Sequence, residues 1–185
     1  MRKRKLQKQL ESLQMYLESL NALLHGNGFS EAFVLEKNEF EGKEFYNLVL
    51  HHKMDKEKAI VFVDDGDEVT LYYLGTHSHI YADTFDETVK EVFKEVREVI
   101  QNKAVGFLEL DSKGNWLMSG TRTLLCDVND IEYTDKERAC LAEKNIQFEL
   151  WSGAATENTK LFVIGSTYTD LPAIKEKWSD YFDEE

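Results

Sequence analysis

The chain of 185 residues is poor in the residues that build linkers and extracellular frameworks. It contains one proline and ten glycines, whereas flexible linkers and low-complexity tracts are enriched in these residues or in serine. Its two cysteines, Cys126 and Cys140, could form one disulfide, but two buried thiols are the expected state in a reducing compartment. We therefore expect one domain that spans residues 1–185.

Long apolar runs are missing as well. No stretch approaches the roughly 20 apolar residues that a helix needs to cross a bilayer. The first residues, MRKRKLQKQL, are basic, but polar side chains interrupt the apolar segment that a secretory signal would require. These absences predict a cytoplasmic protein with no membrane partner.

Sequence motifs of known catalytic chemistry are also absent. The chain has no G-x-S-x-G nucleophile motif, no G-x-G-x-x-G segment and no phosphate-binding loop. The acidic turn at residues 64–68 lacks the residue order of a calcium-binding hand. We therefore expect no cofactor and favour a binding function over an enzymatic one.

The charge of the chain is strongly negative, with a net value of −13. Its first ten residues hold five basic side chains and no acidic one, so the remainder is still more acidic. An acidic surface repels nucleic acid and attracts basic partners. Solubility is the simplest interpretation of this charge. A basic protein partner is the functional one, and nucleic-acid binding is not expected.

A leucine stripe predicts the first helix, over about residues 3–24. Six leucines recur at alternating spacings of four and three, which places them on one side of a helix. They are Leu6, Leu10, Leu13, Leu17, Leu20 and Leu24. The stripe could pack on the protein's own sheet, or it could join two copies in a self-associating structural protein or homodimer. The flanking positions lack the Glu and Lys pairs of a dimer seam, which favours the sheet.

The middle of the chain indicates an α+β fold. Short turns join strands predicted at residues 32–36, 45–51, 59–63 and 69–74, and parallel pairing would need longer connections. A T-x-x-E capping box at Thr84 and Glu87 begins a second helix, and a hairpin follows at residues 104–118. We predict an antiparallel sheet of roughly six to eight strands, with three main helices mostly on one face.

The last third of the chain is predicted to continue this pattern. Thr134 and Glu137 form a second capping box, which indicates a short helix over residues 135–144. Residues 146–151 and 161–165 are predicted to pair as a hairpin. A final helix is expected from Asp170, because Pro172 suits a first helical turn.

His77 and His79 are the strongest candidates for chemistry, in a segment predicted as a loop between a strand and the second helix. Residues two apart in an extended segment point to the same side, so the two imidazoles could hold a metal, with Asp83 as a third ligand. That site would make the protein a metal-dependent enzyme. The competing interpretation is that the histidines hydrogen-bond the loop backbone near the helix entry. Aromatic residues near them suggest a partner-binding surface of Tyr73, His77, His79, Tyr81 and Trp116.

The segment from Tyr72 to Gly120 resembles a pattern in small bacterial proteins. The pattern has an aromatic strand, G-x-x-H-x-H, an acidic residue, an amphipathic helix, a valine-rich strand and a hairpin. Here it appears as Tyr72-Tyr73-Leu74-Gly75-Thr76-His77-Ser78-His79, Asp83, Asn102-Lys103-Ala104-Val105 and Gly114-Asn115-Trp116 to Ser119-Gly120. Some of those proteins are similar to immunity proteins of toxin systems. The resemblance implies a protein that binds and neutralises a cognate toxin, and it transfers no catalytic residue.

Overall fold

The computed structural model describes residues 2–66, 68–124, 128, 131–136, 138–139 and 144–167, without the side chains of residues 2–5. The described chain forms two compact units, Met1–Glu98 and Val99–Glu185. The elements of the first unit are α1 (Arg2–Gly26), β1 (Val34–Phe40), β2 (Lys43–His51), β3 (Ala59–Asp64), β4 (Val69–Tyr73), β5 (Thr76–Ile80) and most of α2 (Phe85–Ile100). Those of the second are β6 (Ala104–Leu110), β7 (Trp116–Thr123), β8 (Ile146–Glu149) and α3 (Glu157–Thr167).

The first unit is built on a five-stranded antiparallel sheet in the order β1-β2-β3-β4-β5. Every strand pairs with the next one along the chain, as the short turns predict. The turns Glu41-Gly42 and Leu74-Gly75 have positive φ at both residues (51° and 70°, 48° and 70°). This geometry suits two-residue hairpins, because its twist matches that of the strands. The prediction of antiparallel strands is therefore confirmed.

Helices cover one face of this sheet, which we call the inner face. Leu13, Leu20 and Leu24 of α1 are almost completely buried, and α1 contacts β1, β2 and β3. These three leucines of the stripe therefore pack on the protein's own sheet, while Leu6, Leu10 and Leu17 are partly buried. The helix α2 lies over β4 and β5, since Glu95 accepts hydrogen bonds from Tyr73 (3.2 Å) and Ser78 (2.5 Å).

The start of α2 confirms the predicted capping box. The Thr84 hydroxyl oxygen accepts the backbone N–H of Glu87 at 3.3 Å, and its proton is donated to the Glu87 carboxylate at 2.9 Å. The cap satisfies one backbone donor that has no partner within the helix. It fixes where the chain leaves β5 and turns back across the sheet.

The second unit contains a three-stranded antiparallel sheet in the order β7-β6-β8. The strand predicted at residues 161–165 is wrong, because this segment belongs to α3. Leu161, Phe162, Val163 and Ile164 are all buried. A helix that is apolar on every side shows no 3.6-residue period, so the sequence pattern could not distinguish it from a buried strand.

The α+β class is confirmed, and the eight strands found among the described residues form two sheets, whereas one sheet was predicted. Asp135, Lys136, Arg138 and Ala139 are helical, in agreement with the predicted short helix. Lys144, the last predicted position of that helix, is described and is not helical. Residues 137 and 140–143, the helix predicted from Asp170 and both cysteines lie outside the described residues. The prediction of a single domain stays a prediction. Within the described part of the chain, no helix combines the length and apolar character that crossing a membrane requires.

Candidate functional site: an aromatic ladder on an edge strand

The two histidines singled out by the sequence lie in β5, not in a loop. The tight Leu74-Gly75 turn returns the chain directly into this strand, so a segment expected to be irregular pairs with β4. The expectation that both side chains point to the same side is confirmed. Their rings lie with centroids 5.0 Å apart, one edge-on to the other.

Four aromatic rings form a continuous row on this side of the sheet, and we call Tyr72, His77, His79 and Tyr81 the aromatic ladder. The centroids of Tyr72 and His77 are 5.5 Å apart, and those of His79 and Tyr81 are 6.1 Å apart in a stacked arrangement. Tyr72 is 46% exposed and Tyr81 is 75% exposed. The ladder therefore presents ring surface to solvent, and the contacts between rings restrict their orientations.

Glu68 and Thr70 anchor one end of the ladder. The Nδ1 atom of His79 lies 3.2 Å from a carboxylate oxygen of Glu68 and 3.3 Å from the Thr70 hydroxyl. The Tyr81 hydroxyl donates to the same carboxylate, and this hydrogen bond, with the negative charge of Glu68, raises the pKa of Tyr81. Glu68 thus connects two rings of the ladder.

A second histidine–carboxylate pair lies on the same face, which we call the outer face. The register aligns Val34, Val49, Val61, Tyr72 and His77 in one row across all five strands. Next to this row, His51 Nε2 lies 2.6 Å from a Glu36 carboxylate oxygen. His52, its neighbour in sequence, instead accepts backbone N–H groups of Met54 and Asp55 in the following turn. The outer face thus carries acidic groups near both of its edges.

The strand β5 forms an edge of its sheet. Among the described strands, only β4 pairs with it, so the structure shows no strand on its other side. Unpaired strand backbone can add a strand from a partner protein. The ladder and this edge strand together provide side-chain and main-chain contacts at one edge of the sheet.

Among the described residues, no third metal ligand lies beside His77 and His79. Within the described residues, no three or more His, Cys, Asp or Glu side chains form a group that could hold a metal ion. His77 and His79 come together, but Asp83 does not complete a set with them. Zinc sites in proteins usually recruit three or four protein ligands. The arrangement of these side chains therefore favours contact with a partner molecule over binding of a metal ion.

Tyr73 and Trp116, the other two predicted partner-binding residues, do not belong to the aromatic ladder. Tyr73 is 6% exposed and lies on the inner face, so Tyr72 is the tyrosine of β4 that reaches solvent. Trp116 is 64% exposed and begins β7 in the second unit, beside the exposed Leu117. Glu68, Thr70 and Tyr72 were not among the partner-binding residues predicted from the sequence. Side chains alternate between the two faces of a strand, so residues 68, 70 and 72 share one face of β4 and its N-terminal extension. This alternation could have indicated them once it was known which face is exposed.

Comparison of the chain with protein-family models, with curated proteins and with solved structures found no match. The function is therefore inferred from the geometry of the aromatic ladder and from the charge of the chain.

Proposed function

We propose that this protein is a non-enzymatic binding module whose protein partner docks on the aromatic ladder. The observation that carries the proposal is the row of four contacting rings at the edge of the sheet, which runs from Tyr72 on β4 along β5 to Tyr81 just after it, with both tyrosines well exposed. Tyrosine supplies a large, amphipathic contact area at a low cost in side-chain entropy, which makes it frequent at binding hot spots. Rings already held by their neighbours lose less freedom on binding.

The charge of the protein supports a basic partner. The net charge is −13, and Glu36 and Glu68 lie on the outer face that carries the ladder. Opposite charges accelerate the encounter of two proteins and disfavour partners of like charge. Together with the resemblance to immunity proteins, these observations support an immunity-type inhibitor that neutralises a cognate basic toxin in the bacterial cytoplasm.

Affinity capture from the lysate of the host cell tests this proposal. The bait is the tagged full chain, compared with a ladder variant that combines His77→Ala and Tyr81→Ala. The control is Met54→Ala, which removes a side chain that is 90% exposed between β2 and β3. We expect the wild type and the control to retain one stoichiometric basic protein that the ladder variant loses. Failure to find a partner, or equal retention by all three baits, would count against the proposal.

The association rate with the captured protein should depend on salt. Electrostatic steering raises association rates by roughly 10- to 1,000-fold, and salt screens it within about 10 Å at 0.1 M. We therefore expect the rate, measured by stopped-flow fluorescence, to fall steeply between low and moderate salt. A rate that does not change with salt would exclude steering by the acidic surface.

A further inference from the structure

A groove of about 1130 Å³ opens in the first unit, at a site separate from the aromatic ladder. Its walls are the N-terminal half of α1, the tip of the β1–β2 hairpin and the turn after β3. Pockets that bury small ligands have volumes of roughly 300–1,000 Å³, so this groove can hold several side chains of a larger partner.

Part of the groove is apolar. Leu6 and Phe45 are partly buried there, while Phe40 is 67% exposed at the hairpin tip. Tyr16 lies deeper and is fixed, since its ring centroid is 4.8 Å from that of Phe62 and 4.7 Å from that of Phe85. An exposed phenylalanine in the same groove as a fixed ring is suited to contact an apolar side chain.

A carboxylate with a fixed orientation lies beside this apolar surface. The Ser12 hydroxyl donates to one oxygen of Asp64 at 2.6 Å, and the Gly66 N–H donates to the other at 2.9 Å. Burial raises the pKa of the Tyr16 hydroxyl, and the negative charge of Asp64 raises it further. Asp64 is therefore a negative charge held in place before any ligand arrives, close to the base of the groove.

Among the described residues, acidic side chains outnumber basic ones in the lining of the groove. Its lining contains the acidic residues Glu39, Glu44, Asp64 and Asp65 and the basic residues Lys8 and Lys43. Glu44 also pairs with Lys37 outside the lining. Asp64 and Asp65, adjacent at the turn after β3, concentrate negative charge at one wall. An anionic segment would be repelled there, and a cationic one would be attracted.

We infer that this groove binds an amphipathic, cationic segment of the protein partner. A lysine or arginine of that segment would pair with Asp64, and an apolar neighbour would cover Phe40 and Leu6. The inference rests on the proposed function, because it requires a protein partner. Long basic side chains match this arrangement, since their methylene groups pack on apolar surface while their charged ends bind carboxylates. A small free amine would satisfy Asp64 and leave Phe40 uncovered.

Titration of the full chain with short acetylated peptides tests the inference without the natural partner. One peptide is an amphipathic sequence of Lys, Leu and Phe, and the second carries Glu at every Lys position. Backbone amide chemical shifts locate the binding site. We expect the Lys peptide to shift the amides of Gly42, Asp65 and Gly66, and the Glu peptide to leave them unchanged.

Two variants test the chemistry of the groove. Asp64→Asn removes the charge and keeps a carbonyl for the Gly66 N–H, and Phe40→Ala removes an exposed ring. Each should weaken binding of the Lys peptide about tenfold, a typical loss when one hot-spot contact is removed. Glu91→Gln on the exposed side of α2 and Met54→Ala are matched controls, and both should bind as the wild type does.

Three results would overturn the inference: no shifts in the groove, shifts spread over the acidic surface, or equal affinity of all variants. The inference would also be overturned if sedimentation showed a dimer of the wild type and a monomer of Phe40→Ala, because a second copy would then occupy the groove. Loss of partner capture by the ladder variant, without peptide binding in the groove, would contradict this inference and leave the proposed function supported.

Discussion

Two asparagines of the first unit differ in how their amide groups are satisfied. Asn21 on α1 donates to the Phe33 carbonyl at 3.0 Å and accepts the Phe33 N–H at 2.8 Å. Asn47, opposite Glu36 on the outer face, has a buried amide oxygen for which the described structure shows no partner. A buried acceptor without a partner costs about 1–3 kcal/mol. The paired amide of Asn21 therefore stabilises the unit, whereas the amide oxygen of Asn47 gains no hydrogen bond from the described residues that would offset its burial.

Asn47→Leu should accordingly maintain or increase the free energy of unfolding, measured by urea denaturation. The matched variant Asn21→Leu should lower it by about 1–3 kcal/mol, because it leaves two backbone groups of Phe33 without partners. An equal loss in the two variants would show that the Asn47 oxygen is hydrogen-bonded in solution.

Strand alternation determines how far individual side chains could be predicted. His77 and His79 are two residues apart, so any extended segment places them on one side, and the structure confirms this. Tyr72 and Tyr73 are adjacent, and alternation assigns them to opposite faces without saying which faces. The contact of Tyr73 with Glu95 shows that Tyr73 faces the helices and Tyr72 faces the opposite side of the sheet. Because Glu95 belongs to a helix that begins later in the chain, the local sequence of β4 does not predict this contact.

At the scale of elements, the leucine stripe of α1 is a core surface of its own unit. Leu13 is 0% exposed, whereas Met15, two residues later, is 55% exposed. Three of the six leucines, Leu13, Leu20 and Leu24, are covered by the sheet of the same unit, in the direction that the flanking polar positions favoured. Burial of these leucines contributes roughly 1.5–3 kcal/mol each to folding.

Leu13→Glu should therefore lower the free energy of unfolding by more than about 3 kcal/mol, since it removes packing and buries a charge. Met15→Glu, on the same helix, should change it by less than about 0.5 kcal/mol. Circular dichroism during denaturation measures both effects. A folded monomeric Leu13→Glu variant obtained from a dimeric wild type would support self-association through the stripe.

The turn between β6 and β7 depends on one carboxylate. Asp111 accepts the backbone N–H groups of Lys113 and Asn115 at 2.8 Å each and the Asn115 side-chain amide at 2.9 Å. Hydrogen bonds from Asn115 are the main reason that the pKa of Asp111 is lowered. The ionised form is thus favoured in the folded protein, and its contribution is present above the unfolded pKa of about 3.9.

Asp111→Ala should lower the midpoint of thermal unfolding at pH 7, and its difference from the wild type should shrink as pH falls through the lowered pKa of Asp111. Asp111→Asn keeps an acceptor for the two backbone N–H groups and should recover part of the loss without this pH dependence. A constant difference between the wild type and Asp111→Ala from neutral to acidic pH would contradict the role assigned to the charge.

The amphipathic helices could be predicted from the sequence, whereas α3, with its buried apolar run, could not. The capping box and apolar stripe of α2 are local signals, and they located a helix that the structure places at Phe85–Ile100. Residues 161–165 of α3 are all buried, against residues such as Val105, Phe107 and Tyr133, whereas Glu157 at the start of the helix is exposed. Its short apolar run therefore matches a strand equally well.

At the scale of the whole molecule, the order of elements predicted the α+β class but not the division into two sheets. The chain forms α2 between β5 and β6, and this long connection interrupts the series of hairpins that builds the first sheet. Local turn signals give the pairing of consecutive strands, whereas they do not show where one sheet ends. The strong negative charge of −13 is a property of the entire sequence, and it is the feature that most directly suggests a basic partner.

The most direct test of a binding function at the ladder is the affinity of the captured partner for three full-length proteins, measured by isothermal titration calorimetry. These are the wild type, the His77→Ala and Tyr81→Ala double variant, and Met54→Ala. We predict binding at least about tenfold weaker for the ladder variant and an unchanged affinity for Met54→Ala, because aromatic anchors contribute most of the energy at interfaces. The same affinity for all three proteins would contradict the proposed binding surface.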